Sequence, residues 1–290
     1  MTRMNLSDGV RGGMFGLAAF GTFATHDAIV KLLADGISIF QITFFAALFG
    51  NLWIWLTMRS EGSFSIRPVH PWWIGFRSVA TVVTGICAFY AFSHLPMAEV
   101  YAILFSTPLV ITALSIPWLG ERVGWPRWGA IFVGLGGVFI VLQPGASPLT
   151  LAHLAALVAV LSGAIVAITL RIIGPDERNG VLLFYPNILS LVLMSGLMPV
   201  LWITPSATQL GLTVMMSFLG FVALMCLIAA YRRAPASVVA PMQYSQIIWA
   251  SLFGALFFND PLQNHVVLGA AVVIASGIFV LWRESRASAG

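Results

Sequence analysis

MAEVYAILFSTPLVITALSIPWLGERVGWPRWGAIFVGLGGVFIVL, residues 97–142, holds two apolar runs separated by one short charged turn. The first run, 97–119, contains a single charged residue, Glu99, and the second, 124–142, only Arg127. At about 1.5 Å per residue, each is long enough for a helix to cover the roughly 30 Å hydrocarbon core of a bilayer. Working outward, the alternation recurs at 12–33, 37–57, 72–93, 150–171, 181–203, 208–230, 236–258 and 263–282, giving ten runs in all. With a cytoplasmic N-terminus, one side of the alternation carries Arg3, Arg11, Arg59, Arg67, Arg77, Arg122, Arg127, Arg171, Arg178, Arg232, Arg233, Arg283 and Arg286. The opposite side carries Lys31 alone. Such sorting is the positive-inside rule, and a soluble domain has no physical reason to follow it. The expectation is an all-α polytopic membrane protein of ten transmembrane helices, in the cell inner membrane, with both termini cytoplasmic.

Composition agrees. A mean hydropathy of +0.96, with 59% hydrophobic and 8% charged residues, is insoluble in water but ordinary where the outer surface meets lipid. The net charge of +4 comes from the sorted arginines, and no basic cluster interleaved with aromatics marks a nucleic-acid site. Cys87 and Cys226 both fall inside apolar runs, so neither a disulfide nor a metal site is indicated, and no cofactor motif is present. The first run is too long for a signal-peptide core and reads as a retained span. The longest connection is near 58–71, which leaves no room for a soluble domain.

Five runs per half would make the second half run opposite to the first, so an internal repeat is expected to be inverted. An offset of 139 residues pairs Cys87 with Cys226, Ala91 with Ala230, Pro96 with Pro235, Val100 with Val239 and Glu121 with Asp260. One further residue then pairs Gly129, Ala130, Val133, Gly137 and Phe139 with Gly269, Ala270, Val273, Gly277 and Phe279. The predicted units are residues 1–145 and 146–290. One plan used in both orientations is the architecture of a carrier, with its site between the halves. Gly129, Gly134, Gly136 and Gly137 in the fifth run, and Gly269, Ala270 and Gly277 in the tenth, are small faces suited to close helix packing. Gly129, Val133 and Gly137 are expected on one face, bracing the bundle or a homodimer interface.

Residues 87–145 read CAFYAFSHLPMAEVYAILFSTPLVITALSIPWLGERVGWPRWGAIFVGLGGVFIVLQPG. The Leu-Pro-x-Ala-Glu turn, the mid-helix Thr-Pro-Leu, the Leu-Gly-Glu-Arg loop and the Gly-rich helix ending in Gln-Pro-Gly resemble the EamA-type branch of the drug/metabolite transporter superfamily. AFGTFATHDAIVKLLADG in the first run is similar to the same branch, and the second half matches more loosely. The resemblance implies a ten-helix, 5+5 inverted-repeat secondary transporter of small metabolites, with aromatic amino-acid exporters among the relatives.

Ionisable groups inside apolar runs are costly unless paired or wet, so each is a functional candidate. His26 and Asp27 lie about two-thirds across the first run, with Lys31 one turn on. The i,i+4 spacing predicts an Asp27–Lys31 pair, or a Lys31 that snorkels outward. Histidine titrates near neutral pH, which makes His26 a candidate proton carrier. Glu99 suits the N-terminal turn of the fourth helix as a cap partner, or, with His94 nearby, a proton or cation site. His26, Asp27 and Glu99 are therefore the coupling candidates. Pro108 and Pro241 remove backbone hydrogen bonds mid-run and are expected kinks that gating could use. Thr81, Thr84, Tyr90, Tyr101, Phe105, Gln243, Tyr244, Gln246 and Trp249 are expected to line a largely apolar substrate cavity, with interhelical hydrogen bonding the alternative for any one of them. Arg77 has a topogenic role and could also attract an anionic substrate. Trp53, Trp55, Trp72, Trp73, Trp125, Trp128, Trp202 and Trp282 read as an aromatic belt.

The expected function is secondary transport of a small amphipathic metabolite, in the direction of export, with neutral or aromatic amino acids the expected substrates and multidrug or other metabolite efflux the alternative. Sugar phosphates fit worse, because mid-depth cations to pair them are absent. No phosphate-binding loop, His-Glu-x-x-His pair or nucleophile–base spacing occurs, which argues against an ATP-driven pump and an intramembrane enzyme. A channel lacks the reason for an inverted repeat. The expected partners are the substrate and the lipid bilayer.

Overall fold

The computed structural model describes residues 6–60, 66–120, 125–144, 148–174, 176–234, 236–260 and 262–287, and its regular elements are all helical. They are α1 (Leu6–Ala34), α2 (Ile39–Ser60), α3 (Pro71–His94), α4 (Met97–Leu104), α5 (Thr107–Leu119), α6 (Trp125–Leu142), α7 (Leu151–Ile173), α8 (Asn179–Leu201), α9 (Ala207–Arg233), α10 (Ala236–Val239), α11 (Gln246–Phe257) and α12 (Asn264–Ala287), with a 3-10 turn at Ala240–Ser245 between α10 and α11. Arg3, Glu121, Arg122 and Pro235, which enter the charge pattern and the repeat, lie outside the described residues.

Among the described residues, seven stretches are long and apolar enough to cross a membrane: Val10–Ala34, Ile39–Arg59, Pro71–His94, Met97–Leu119, Leu151–Ile173, Asn179–Leu201 and Ala207–Tyr231. The runs expected fifth and tenth appear as shorter apolar helices, Trp128–Leu142 and Asn264–Val280, and the ninth is the interrupted α10–α11 segment. The chain is thus a multi-pass, all-helical membrane protein. Large apolar side chains stand exposed around the bundle, among them Phe132, Phe139, Val200 and Leu256, where hydrocarbon rather than water is their solvent.

Local sequence accounts for most helix boundaries. Pro71 opens α3, and Ser206 with Gln209 forms a reciprocal capping box at the start of α9. Thr150 and His153 do the same for α7, with histidine in the place usually taken by Glu or Gln. Gly120 ends α5 at φ 67°, a left-handed conformation that glycine adopts without a Cβ penalty. The fourth run is broken rather than merely kinked. Pro108 has no N–H to offer the Leu104 carbonyl and its ring would crowd that group, so α4 stops at Leu104. The side chains of Thr107 and Ser106 satisfy the released carbonyls of Leu104 (2.6 Å) and Ile103 (2.7 Å). Pro241 lies in the 3-10 turn that interrupts the ninth run.

The helices pack in a regular scheme. α1 lies on α9 and α3 on α7; α2 lies on α8, α4 on α11 and α6 on α12; α2 also meets α9, and α3 meets α8. The α6–α12 contact is a close one. A Cβ on Gly269 would fall 2.6 Å from the Gly137 carbonyl oxygen, so only glycine allows this approach. The expected shared face of Gly129, Val133 and Gly137 is corrected. Gly137 is buried, whereas Val133 is 58% exposed and Gly129 faces open space, because the buried stripe runs through Ala130, Gly134, Gly137 and Val141.

Candidate functional site

Five helices close a ring, α1–α9–α2–α8–α3, each touching the next. Inside it lies a cavity of about 340 Å³. α1 contributes His26; α2 contributes the stretch from Thr43 to Thr57, including Trp53; α3 contributes Arg77, Thr81 and Phe89. α8 adds Leu182, Pro186, Asn187 and Ser190, and α9 adds Ser217, Gly220 and Phe221. Both sequence halves therefore build the wall. It is largely apolar, with a few hydrogen-bonding groups, the usual make-up of a small-molecule site. Glycine at 220 leaves room for the His26 ring, whose Cδ2 is 3.4 Å from where a Cβ would sit.

Of the residues expected to line a cavity, Thr81 does so. The others lie elsewhere, for identifiable reasons. Thr84 hydrogen-bonds Ser162 of α7 (2.8 Å), an interhelical link. Tyr90 stacks on His94 with ring centroids 4.1 Å apart. Phe105 is fully buried, between Tyr101 and Tyr244. Tyr244 also packs beneath Gly277, and Gln243 is half-buried in the 3-10 turn. Trp249 borders a separate depression of about 380 Å³ between α1, α9 and α11, with Leu17, Gly21 and Phe253.

Four of the singled-out residues form one network. His26 Nδ1 is 2.8 Å from Asp27 Oδ1, the Tyr101 hydroxyl donates to Asp27 Oδ2, and Gln246 Nε2 lies 3.5 Å from the Tyr101 oxygen. The network links α1, α4 and α11 and touches the cavity through His26. Asp27 does not pair with Lys31, which corrects the i,i+4 expectation. Lys31 instead reaches Asp260 Oδ2 at 2.6 Å, donates to the Leu95 carbonyl at 2.9 Å and lies 4.9 Å over the Phe258 ring. Glu99 is also reassigned: its Oε1 is 2.9 Å from His153 Nε2, and its side chain makes no capping bond. His94 turns away to Ser93 and Tyr90.

Composition and spacing missed Trp53, Asn187, Ser217 and Phe221. Trp53 read as belt because it sits near the end of a run. In the structure its Nε1 donates to Ser217 Oγ (3.1 Å), and its ring stacks on Phe221 at 5.7 Å. Asn187, whose Nδ2 donates to the Ala47 carbonyl at 2.9 Å, was the available signal: an amide in mid-run must find partners. Among the described residues no group of three or more His, Cys, Asp or Glu side chains could hold a metal ion.

Residues 10–143 and, separately, residues 150–282 match the EamA-like transporter family. The chain is 24% identical to an S-adenosylmethionine uptake transporter of Rickettsia conorii, over 91% of this chain and 90% of that protein. It is 25% identical to a pseudopaline exporter of Pseudomonas aeruginosa, over 90% and 92%. A riboflavin transporter of Rhizobium johnstonii is 28% identical over 79% and 76%. A crystal structure superposes with a TM-score of 0.63 at 13% identity, covering 97% of this chain and 99% of that one, a likeness of fold alone.

Proposed function

The chain belongs to the EamA-like transporter family, a branch of the drug/metabolite transporters, and from that premise we propose that it is a secondary carrier moving a small metabolite by alternating access between two inverted five-helix repeats. The observation that carries this reading is the cavity lined by helices of both halves, α1, α2 and α3 from one and α8 and α9 from the other.

The packing scheme supports the inverted repeat. Counting α4–α5 and α10–α11 as single interrupted spans, exchange of the halves turns the α1–α9 contact into the α7–α3 contact, and α2–α9 into α8–α3. It returns α2–α8, α4–α11 and α6–α12 to themselves. Phe105 and Tyr244, related by the 139-residue offset, touch edge to face at 5.2 Å, as expected of positions beside a pseudo-two-fold axis. The asymmetric distribution of arginines supports an orientation with both termini on the cytoplasmic side of the inner membrane.

Neutral and aromatic amino acids have no counterpart among the named relatives, whose substrates are S-adenosylmethionine, pseudopaline and riboflavin. A carrier for another metabolite is the better reading. Those relatives include an uptake transporter and an exporter, so direction follows the driving gradient rather than the fold. The His26–Asp27 pair lies at the edge of the cavity and is bonded to Tyr101 of α4, which Gln246 of α11 approaches in turn; that position supports a coupling proton there.

The test is counterflow in proteoliposomes holding the purified chain, with radiolabelled metabolites of these classes and amino acids, with and without a pH gradient. Saturable exchange, accelerated by unlabelled substrate on the far side, supports the carrier. Non-saturable flux identifies a channel, and chemical conversion of the solute an enzyme.

A further inference from the structure

Arg77 stands in the second turn of α3, on the wall of the cavity. It is only 9% exposed. Its Nη1 donates to the Leu182 carbonyl of α8 at 2.7 Å, while its Nε is buried without a partner. No ion pair to Arg77 occurs among the described residues, and none of the residues lining the cavity is Asp or Glu.

An arginine that merely orients a helix does so from water or the headgroups, where its charge is solvated. This one is held inside, beside a cavity, by a bond from one half of the chain to the other. A buried cation without a counter-ion is expensive, and a guanidinium keeps five donors in a fixed fork suited to a carboxylate. The Leu182 bond uses one donor and fixes the plane of the fork. Opposite charge is the chemistry that would satisfy the rest.

We propose, on the basis of the carrier reading above, that the cavity takes a substrate bearing a carboxylate, held by Arg77, with a planar or apolar part against Trp53 and Phe221. A carboxylate is favoured over a phosphate dianion because Arg77 is the one Lys or Arg among the described residues of the cavity wall, enough to neutralise a single negative charge. Trp53 and Phe221, stacked at 5.7 Å with their planes 20° apart, supply a flat apolar surface in the lining of the same cavity.

The test compares acids with their neutral amides on the full-length purified chain: phenylacetate with phenylacetamide, nicotinate with nicotinamide, and N-acetyltryptophan with its amide, each read as thermal stabilisation up to millimolar concentration. At least one acid should bind about tenfold or more tightly than its amide, the scale of a charge-assisted hydrogen bond. Arg77→Gln should abolish that discrimination while leaving a monodisperse chain, and Arg77→Lys, which keeps the charge without the fork, should retain part of it. Amides that bind as well as acids, discrimination that survives in Arg77→Gln, or an acid panel that does not bind at all overturns the proposal. Counterflow separates this failure from that of the carrier reading. A neutral or cationic metabolite exchanged saturably with the same KM in Arg77→Gln leaves a carrier without this anchor, and a folded chain that exchanges no solute loses both.

Discussion

Lys31 and Asp260, 229 residues apart in sequence, meet with Nζ 2.6 Å from Oδ2 and tie the end of α1 to the turn between α11 and α12. Both side chains are largely shielded, at 13% and 19% exposure, and Lys31 also holds the Leu95 carbonyl between α3 and α4. The contact lies at the end of the bundle opposite the arginines and spans both halves. If that end opens by separating α1 from the α11–α12 turn, the contact has to break. Asp260→Asn should lower thermal stability by about 1–3 kcal/mol, between the worth of an exposed and a buried pair. A double-mutant cycle with Lys31→Met should give coupling of the same size. Thr43→Cys, in a chain with Cys87 and Cys226 replaced by alanine, should also react faster with an impermeant maleimide applied from that end. An unchanged labelling rate would leave the pair a brace and not a latch.

Asp27 should carry the response to a pH gradient. Its two oxygens are held by His26 and by the Tyr101 hydroxyl, so a proton gained there changes contacts on α1 and α4 together. Asp27→Asn is expected to keep substrate exchange but to lose stimulation by the gradient, and Tyr101→Phe to weaken it. Equal stimulation in wild type and Asp27→Asn would assign coupling elsewhere or indicate facilitated diffusion.

Glu99→Gln should behave differently. Glu99 meets His153, whose Nδ1 accepts from the Thr150 N–H and so completes the cap of α7. That arrangement joins the start of α4 to the start of α7 and does not touch the cavity lining. The expected outcome is a lower melting temperature, by a stability loss of about 1 kcal/mol as a charge-assisted hydrogen bond becomes a neutral one, with gradient stimulation intact. Loss of stimulation at full stability would return Glu99 to the coupling machinery.

The charge alternation made the spans legible, because burial in lipid and topology are both written in single residues. Pro108 and Pro241 announced interruptions, since a missing N–H has a local consequence wherever the helix packs. Partner choice was not legible. Asp27 and Lys31 have ideal spacing, yet each turns to a residue from another helix, Tyr101 and Asp260. Spacing along one helix cannot say which face meets which neighbour. The same gap sent Trp53 to the belt and Phe105 to the cavity: both positions depend on helix rotation, and a chain apolar on nearly every face gives no period from which to read it.

Gly137 and Gly269 give the α6–α12 contact its closeness, so bulk at either position should separate the helices. A Cβ at Gly137 would lie 2.9 Å from the Gly269 carbonyl oxygen and 3.0 Å from the Val273 nitrogen, both backbone atoms that cannot swing aside. Gly269→Leu should cost about 1–3 kcal/mol or more through overpacking, seen as a lower melting temperature in detergent. Gly136→Leu, with nothing within 4 Å of the added carbon, should be tolerated. Equal loss in both would mean that helix propensity or lipid contact, and not this approach, decides the effect.

Trp53 separates packing from substrate contact. Its ring stacks on Phe221 and tilts against Phe218 at 5.3 Å, and its Nε1 bonds Ser217. Because one side of the ring already faces a cavity, truncation enlarges an existing space instead of opening a new void, and stability should fall by less than the ~3–5 kcal/mol usual for an aromatic deleted from a packed core. Transport should suffer more: Trp53→Ala is expected to raise KM about tenfold or more, the loss of roughly one stacked aromatic contact and its apolar area. Trp53→Phe keeps a ring but loses the Ser217 bond, so its KM should lie nearer wild type if stacking dominates. Should Ser217→Ala reproduce the full effect of Trp53→Ala, the hydrogen bond and not the ring is what shapes the site. A KM unchanged in all three variants would place the substrate outside this cavity.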